Sequence, residues 1–322
     1  MKKACFIFNP RSGYNISNPR VMERVRRFVA EQNAAGALDA RLVSTERPRH
    51  ATELARAAVA DGCELVVAVG GDGTMNETAT GLVNAPAPVA LGLIPCGSGN
   101  GLGRHLGIPR PDERAFRALV GGESRVIDTA MANEHAFFNV MGLGFDAQIS
   151  ARFRSLKKRG FPQYARLILS EFFRHKPVRC AVSVAGAGAG GARDAGGAQG
   201  AGAGLGAGRI EADVFILAVG NSDQYGNNGF ITPLARIDDG LLDMTLVRRV
   251  TLLGAPALAL RLLTRRLHGS RVVEHLRAPG FVIERAEAGL IHTDGEPRET
   301  AARVEVRILP RSLRVMVPRE RV

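Results

Sequence analysis

An apolar strand that runs directly into Gly70-Gly71-Asp72-Gly73, and then into a helix, is the feature that most narrows the fold of this chain. Residues 65–69 are continuously apolar and rich in valine, the pattern of a strand buried on both faces. Residues 74–83 carry helical spacing. The same alternation fills the first third of the sequence. Residues 4–8, 40–43 and 89–94 read as strands, and 19–32 and 51–60 as helices. Strands alternating with helices require right-handed crossovers and a parallel sheet covered on both sides.

After about residue 125 the pattern changes. Strand-like runs now follow one another at 126–129, 136–140, 178–184, 210–219, 242–247, 281–285, 290–293, 303–309 and 313–317. Helical patterns interrupt them near 162–173 and 252–267. Such a series predicts an antiparallel sandwich or barrel. The length of 322 residues is enough for two cores. Residues 185–208 are almost all Ala and Gly, too poor in apolar surface to offset backbone entropy, and read as a flexible loop between two strands.

Charge and composition bound the partners. Lys and Arg number 43 against 31 Asp and Glu, a balance of +12. An anionic partner follows: nucleic acid, nucleotide phosphates or an acidic membrane surface. A low aromatic fraction, with no Trp and three Tyr, argues against a stacking platform for single-stranded nucleic acid. Cys5, Cys63, Cys96 and Cys180 form no paired spacing and accompany no His cluster, so a zinc site is not expected and the chain reads as reduced and cytosolic. The N-terminal apolar run is cut at Asn9-Pro10, short of a secretory core, and no stretch of about twenty apolar residues exists.

Three turns follow parallel strands and would share one sheet edge. Gly70-Gly71-Asp72-Gly73-Thr74-Met75-Asn76-Glu77 is the strongest. Its glycines let backbone amides approach a phosphate, and the helix N-terminus favours negative charge. Asp72 there suits a magnesium ion, a sugar hydroxyl or a proton rather than a bare phosphate. Pro95-Cys96-Gly97-Ser98-Gly99-Asn100-Gly101 is the second, and Asn9-Pro10-Arg11-Ser12-Gly13 the third. Neither the Walker pattern nor the dinucleotide glycine fingerprint fits these spacings. Far downstream, Thr293-Asp294-Gly295-Glu296-Pro297 sets two carboxylates around a glycine.

In this order, GGDGTMNE, PCGSGNGLGRHLGIP, NVMGLGFDA, the segment from Asn221 through TPLARIDDGLLDM, and TDGEP resemble the diacylglycerol kinase catalytic-domain family of bacterial lipid kinases, which is similar to sphingosine and ceramide kinases. The resemblance runs from Lys3 to about Val317. It implies an α/β nucleotide-binding domain like that of NAD kinases and phosphofructokinases, over residues 1–125 with a return at about 305–322. It also implies a mainly antiparallel β-sandwich over 126–304 that supplies the lipid site, with the active site in the cleft between them. By resemblance, Gly70, Gly71, Asp72, Gly73, Thr74 and the Glu77 end of that motif hold ATP and its Mg²⁺. Asn9, Ser12, Thr45, Ser98 and Asn100 complete the nucleotide pocket. Asp294 is the expected general base, Glu296 its essential neighbour, and Asp72 a third catalytic acid. Asp128 and Asp146 match acidic positions of a metal-linked network. Asp239, with the carbonyls of Arg236 and Leu241, matches a structural Mg²⁺ site. Where many members carry an acid after the second glycine loop, this chain has Gly101.

The expected activity is therefore ATP-dependent phosphorylation of a membrane lipid alcohol such as diacylglycerol, in the cytoplasm and transiently at the inner membrane face, with no nucleic-acid partner and a homodimer left open. Two further readings stay compatible with the motifs: a soluble small-molecule kinase of the NAD kinase type, and a non-catalytic lipid- or nucleotide-binding regulator. Residues 152–159 and 172–176 combine basic and apolar side chains, and Tyr164, Leu167, Ile168 and Phe172 share one helical face, which suits docking on anionic headgroups. Of the histidines His50, His105 and His292, the first lies nearest the nucleotide edge in sequence, after Thr45.

Overall fold

The computed structural model describes all residues except 13, 14, 17, 109, 110, 112, 156–160, 186–208 and 320–322. The expected Gly13, the 156–159 part of the basic segment, and all but the first residue of the Ala/Gly-rich run lie outside the described residues. So do the side chains of 154–165, and with them Tyr164. The described chain divides into two compact units, one of residues 1–129 with the chain from Pro310 onward, the other Ala130–Leu309.

The first unit is built on parallel strands. In chain order it contains β1 (Lys2–Phe8), α1 (Arg20–Ala34), β2 (Leu38–Ser44), α2 (His50–Ala60), β3 (Leu65–Gly70), α3 (Asp72–Leu82), β4 (Ala90–Pro95), the short α4 (Gly101–His105), α5 (Glu113–Gly121) and the start of β5 (Glu123–Ala132). β2, β1, β3 and β4 lie side by side and parallel. All six residues of both β3 and β4 are buried, which is why both read as unbroken apolar runs. The core gathers Phe6, Val25, Leu65, Val67, Ile94, Phe116 and Leu119. Each such side chain contributes about 1.5–3 kcal/mol on burial. Parallel ladders place the ends of β1, β3 and β4, and the three turns that follow them, on one edge of this sheet.

The second unit is antiparallel. It contains β6 (His135–Phe137), β7 (Val140–Gly144), α6 (Phe145–Ser155), α7 (Phe161–Phe172), β8 (Val178–Val184), β9 (Ile210–Val214), β10 (Ile216–Gly220), β11 (Leu242–Val247), α8 (Ala255–Leu263), β12 (Val273–Ala278), β13 (Gly280–Arg285), β14 (Gly289–Thr293), β15 (Glu296–Thr300) and the first half of β16 (Arg303–Val317). One sheet runs β12-β11-β10-β7-β14-β15. β16, β13, β8 and β9 pair in that order beside it as a second layer. Met141, Leu143, Leu217, Val219, Met244 and Ile291 from the first layer share one core with Val182, Phe281, Ile283, Val304 and Val306 from the second. The α/β unit and the antiparallel sandwich are the fold class expected.

Several element boundaries differ from the sequence reading. The run 210–219 is two strands in two layers, because the chain turns at Phe215, whose N–H reaches the Val247 carbonyl at 2.8 Å. The run 136–140 breaks at Phe138-Asn139 for a reason given below. The two runs 303–309 and 313–317 are one strand, β16. Pro310 cannot donate to a ladder, Arg311 takes a left-handed φ of 52°, and its N–H turns to Asp128 Oδ1 at 2.7 Å. α4, α5, α6, β12 and β15 were not read from the sequence.

Candidate active site

The first unit gathers its three expected turns around β3. Asn9 donates from Nδ2 to Thr74 Oγ1 at 2.9 Å, tying the turn after β1 to the first turn of α3. Ser12 Oγ donates to the Cys96 carbonyl at 3.0 Å, tying it to the turn after β4. Thr45 is buried just past β2, its N–H on the Phe8 carbonyl at 2.9 Å. The Gly71 and Gly97 backbones touch: a Cβ on Gly97 would lie 2.8 Å from Gly71 Cα and 2.7 Å from Asn100 Oδ1. Only glycine permits that approach.

Asp72 is placed by this contact. Its Oδ2 accepts the Asn100 N–H at 2.8 Å and its Oδ1 the Gly101 N–H at 2.7 Å, so the carboxylate closes the N-terminus of α4. Asn100 sits at φ 52°, in the left-handed region that Asn tolerates, and its side chain bridges Gly97 N and O at 2.7 Å each. Ser98 is exposed at the tip of the loop. Gly101, where the resemblance leads one to expect an acid, supplies an N–H to Asp72. Glu77 faces another way. Its two oxygens accept the N–H groups of Arg49 and Ala51 at 2.9 and 3.2 Å, anchoring the start of α2. His50 Nδ1 accepts the Glu46 N–H at 3.1 Å. Cys96 beneath the loop is a buried thiol pushed up to about 12 by desolvation, which leaves it no nucleophilic role.

The second unit presents Asp294. β14 and β15 form a hairpin whose two-residue loop is Asp294-Gly295, at φ 51° and 81°, the positive pair that an Asp-Gly turn supplies. The turn aims the carboxylate at the bend between β6 and β7. Asp294 Oδ2 accepts the Phe138 N–H at 2.9 Å, and Oδ1 accepts those of Asn139 and Val140 at 2.8 and 3.1 Å. Three amides on one carboxylate break the strand reading at 136–140, since those donors leave the ladder. Glu296 opens β15 beside it, across from Thr293.

A second polar chain underlies the same turn. His292 is buried, and its Nδ1 accepts the Gly295 N–H at 3.3 Å. Its Nε2 therefore carries the proton and donates to Asp146 Oδ2 at 3.2 Å. Tyr225 Oη donates to that same oxygen at 2.7 Å, and Asp146 Oδ1 takes the Ala147 N–H at 2.8 Å. A Cβ on Gly142 would lie 2.6 Å from His292 Nε2, which is why the strand between them carries glycine. Tyr225 lies in the motif segment that begins at Asn221, but its residue type and spacing gave it no role there. Asp146, which by resemblance matches an acidic position of a metal-linked network, takes these three hydrogen bonds.

The residues expected to hold metal do not make a preassembled cage. Among the described residues no three His, Cys, Asp or Glu side chains gather where an ion would fit. Asp128 is buried in the first unit and accepts the Arg311 N–H. Asp239 Oδ1 accepts the Leu241 N–H at 3.1 Å, and Oδ2 pairs with Arg277 Nη2 at 2.5 Å. Arg277 Nε also reaches Asp243 at 3.2 Å. Arg277 is thus shared by two carboxylates, and Asp239, the residue matched to a structural Mg²⁺ site with the carbonyls of Arg236 and Leu241, meets a guanidinium on one oxygen and a backbone N–H on the other. Desolvation raises Asp243 to about 6, with Arg277 opposing the rise. His105 ends α4.

Comparison with known proteins gives two family matches. Residues 3–132 match the diacylglycerol kinase catalytic domain, and residues 139–317 match the YegS C-terminal NAD kinase beta sandwich-like domain. A "probable lipid kinase YegS-like" of Pseudomonas aeruginosa is 31% identical over 300 residues, covering 92% of this chain and 90% of that relative. One of the same description from Chromohalobacter salexigens is 30% identical over 248 residues, 76% of this chain and 73% of the relative. Among solved structures, a diacylglycerol kinase from Bacillus anthracis superposes with a TM-score of 0.71 at 20% identity, covering 100% of this chain and 98% of that one, which speaks for the fold.

Proposed function

The chain belongs to the YegS-like lipid kinases, the family whose N-terminal part is a diacylglycerol kinase catalytic domain, and on that premise we propose that it transfers the γ-phosphate of ATP to a hydroxyl of a membrane lipid such as diacylglycerol. The observation that carries the proposal is the Gly71–Gly97 contact clasped by Asp72. It fixes two glycine turns at the ends of adjacent parallel strands beside the start of α3, an eleven-residue helix whose N-terminus suits an anionic group.

Phosphoryl transfer asks for positioning and charge neutralisation more than for covalent chemistry. Gly70, Gly71, Gly73 and Thr74 offer backbone to the phosphates, with Asn9, Ser12, Thr45, Ser98 and Asn100 shaping the nucleotide edge. Asp72 acts through position: it holds the two turns together. Magnesium, when bound, neutralises the phosphate oxygens, and it suits this protein to carry it in largely on the nucleotide and its waters. Asp294 receives the proton of the attacking lipid hydroxyl. Its three amide partners fix the direction of the carboxylate. Glu296 adds negative charge at the same turn, and the His292–Asp146–Tyr225 chain holds the turn from below.

The test incubates the protein with labelled ATP, magnesium and a total lipid extract, then extracts with organic solvent. Label in the solvent phase, lost in Asp294→Asn, is the expected result. Label confined to the aqueous phase would replace the lipid by a soluble acceptor, and no turnover at all would favour a binding protein.

A further inference from the structure

Residues 244–273 contain six Arg and no Asp or Glu. The same stretch holds a run of leucines, Leu252, Leu253, Leu258, Leu260, Leu262, Leu263 and Leu267. The fold uses only some of them. Leu267 is buried, and Leu258 and Leu262 lie half-buried against a cluster of Val140, Ala218, Ile231, Val247 and Val273 on the outer face of the six-stranded sheet. They stand four apart, on the inner side of α8.

The opposite side of α8 is apolar as well. Leu260 is 63% exposed and Leu263 57%. The turn leading into the helix adds Leu253 at 93% and Leu252 at 52%. None of the nine residues of α8 is fully buried. Singly exposed leucines need no explanation, but four of them within twelve residues form a patch. The helix is also held firmly. Gly254 N–H is taken by Thr251, the Phe230 N–H reaches the Leu262 carbonyl at 3.0 Å, and Arg265 pairs with Asp223 and stacks 4.2 Å over the Phe230 ring. Arg249, Arg266 and Arg271 are exposed around its two ends.

We propose that the 251–266 segment is the surface by which this protein docks on an anionic phospholipid bilayer, with Leu252, Leu253, Leu260 and Leu263 entering the acyl boundary and Arg249, Arg266 and Arg271 meeting headgroup phosphates. Charge complementarity selects the occupant. A segment without a single carboxylate, ringed by arginines and rigidly based on a sheet, matches the interfacial helix that lies in the plane of a membrane. Docking here rests, for its purpose, on the reading that the acceptor is a bilayer lipid. It differs from the 152–176 segment singled out in the sequence, because the leucines here are outward on a described and anchored helix.

The test measures co-sedimentation of the full chain, without ATP, with vesicles of phosphatidylcholine alone and of phosphatidylcholine mixed with phosphatidylglycerol. The proposal expects binding to the mixed vesicles, weakened by salt. Leu253→Ser with Leu260→Ser should cut partition about tenfold or more, since each leucine loses several CH₂ equivalents of burial. Arg249→Gln with Arg266→Gln should abolish the preference for anionic lipid. Both variants alter exposed side chains, and an unchanged melting temperature certifies their fold. Phosphorylation of a short-chain, water-dispersed diacylglycerol should be unaffected, and that arm alone reports on the kinase reading. Equal binding by the leucine variant and the parent would overturn the proposal. So would a parent dimer that the leucine variant splits without any change in vesicle binding, which would assign the patch to a second copy.

Discussion

The carboxylate of Asp294 accepts the backbone N–H of Asn139 at 2.8 Å, across 155 residues of chain. With Phe138 and Val140 it makes a nest of three amides around one side chain. The arrangement explains the Asp-Gly hairpin and the broken strand before β7 together. It also means that a substitution at Asp294 changes chemistry and geometry at once.

Asp294→Asn is expected to lower kcat by about 10²–10⁴-fold, the range for loss of a general base. ATP affinity, measured by titration, should stay near that of the parent. The amide nitrogen of Asn would face an N–H, so the melting temperature should also fall. Near-parental turnover would remove Asp294 from the base role.

Asp72→Ala leaves the start of α4 without its acceptor and releases the loop from α3. A stability loss of about 1–3 kcal/mol is expected in denaturant titration. Nucleotide affinity should fall as well, with KM for ATP rising more than kcat falls. Gly97→Ala, whose new Cβ meets the Gly71 backbone, should weaken ATP binding even more.

Tyr225→Phe removes one donor from Asp146 and should cost about 1 kcal/mol. Because the change reaches Asp294 through His292 and Gly295, it should depress kcat while leaving KM for ATP alone. A change confined to stability would reduce the network to a structural role.

Arg277 offers a metal test. In the parent, a chelator should leave the melting temperature unchanged. Arg277→Leu exposes two carboxylates, Asp239 and Asp243, to each other, and added Mg²⁺ or Ca²⁺ should then raise the melting temperature of the variant. The pH sense follows from Asp243, raised by desolvation to about 6 in the fold. A raised carboxyl contributes stability that is complete below its unfolded pKa and lost as pH rises through about 6. Without Arg277 to oppose the rise, that loss should deepen and shift upward in pH.

His275 titrates in the other sense. Its Nδ1 donates to Thr245 Oγ1 at 3.1 Å, since the Thr245 hydroxyl hydrogen goes to the Ile231 carbonyl. Desolvation, aided by His268, pushes the ring below its ordinary 6.5. A depressed imidazole keeps its stabilising neutral form above the unfolded pKa and loses it as pH falls through the folded one. His275→Gln should therefore flatten the fall in melting temperature below about pH 6.5.

Which strands are central, and where glycine-rich turns leave them, could be read from residues. β3 and β4 are buried on both faces, so hydrophobicity alone marks them, and glycines at 70, 71, 73, 97 and 99 mark the backbone that must come close. What partner each polar side chain finds could not be read. Glu77 follows the glycine loop in sequence yet holds the start of α2, and Asp239 meets Arg277 from a strand 38 residues later. Periodicity is a local property of the chain and survives in the sequence. The pairing of Asp294 with Phe138–Val140, or of Tyr225 with Asp146, depends on strand register and on turns that bring distant segments together, and those were decided only when the tertiary structure formed.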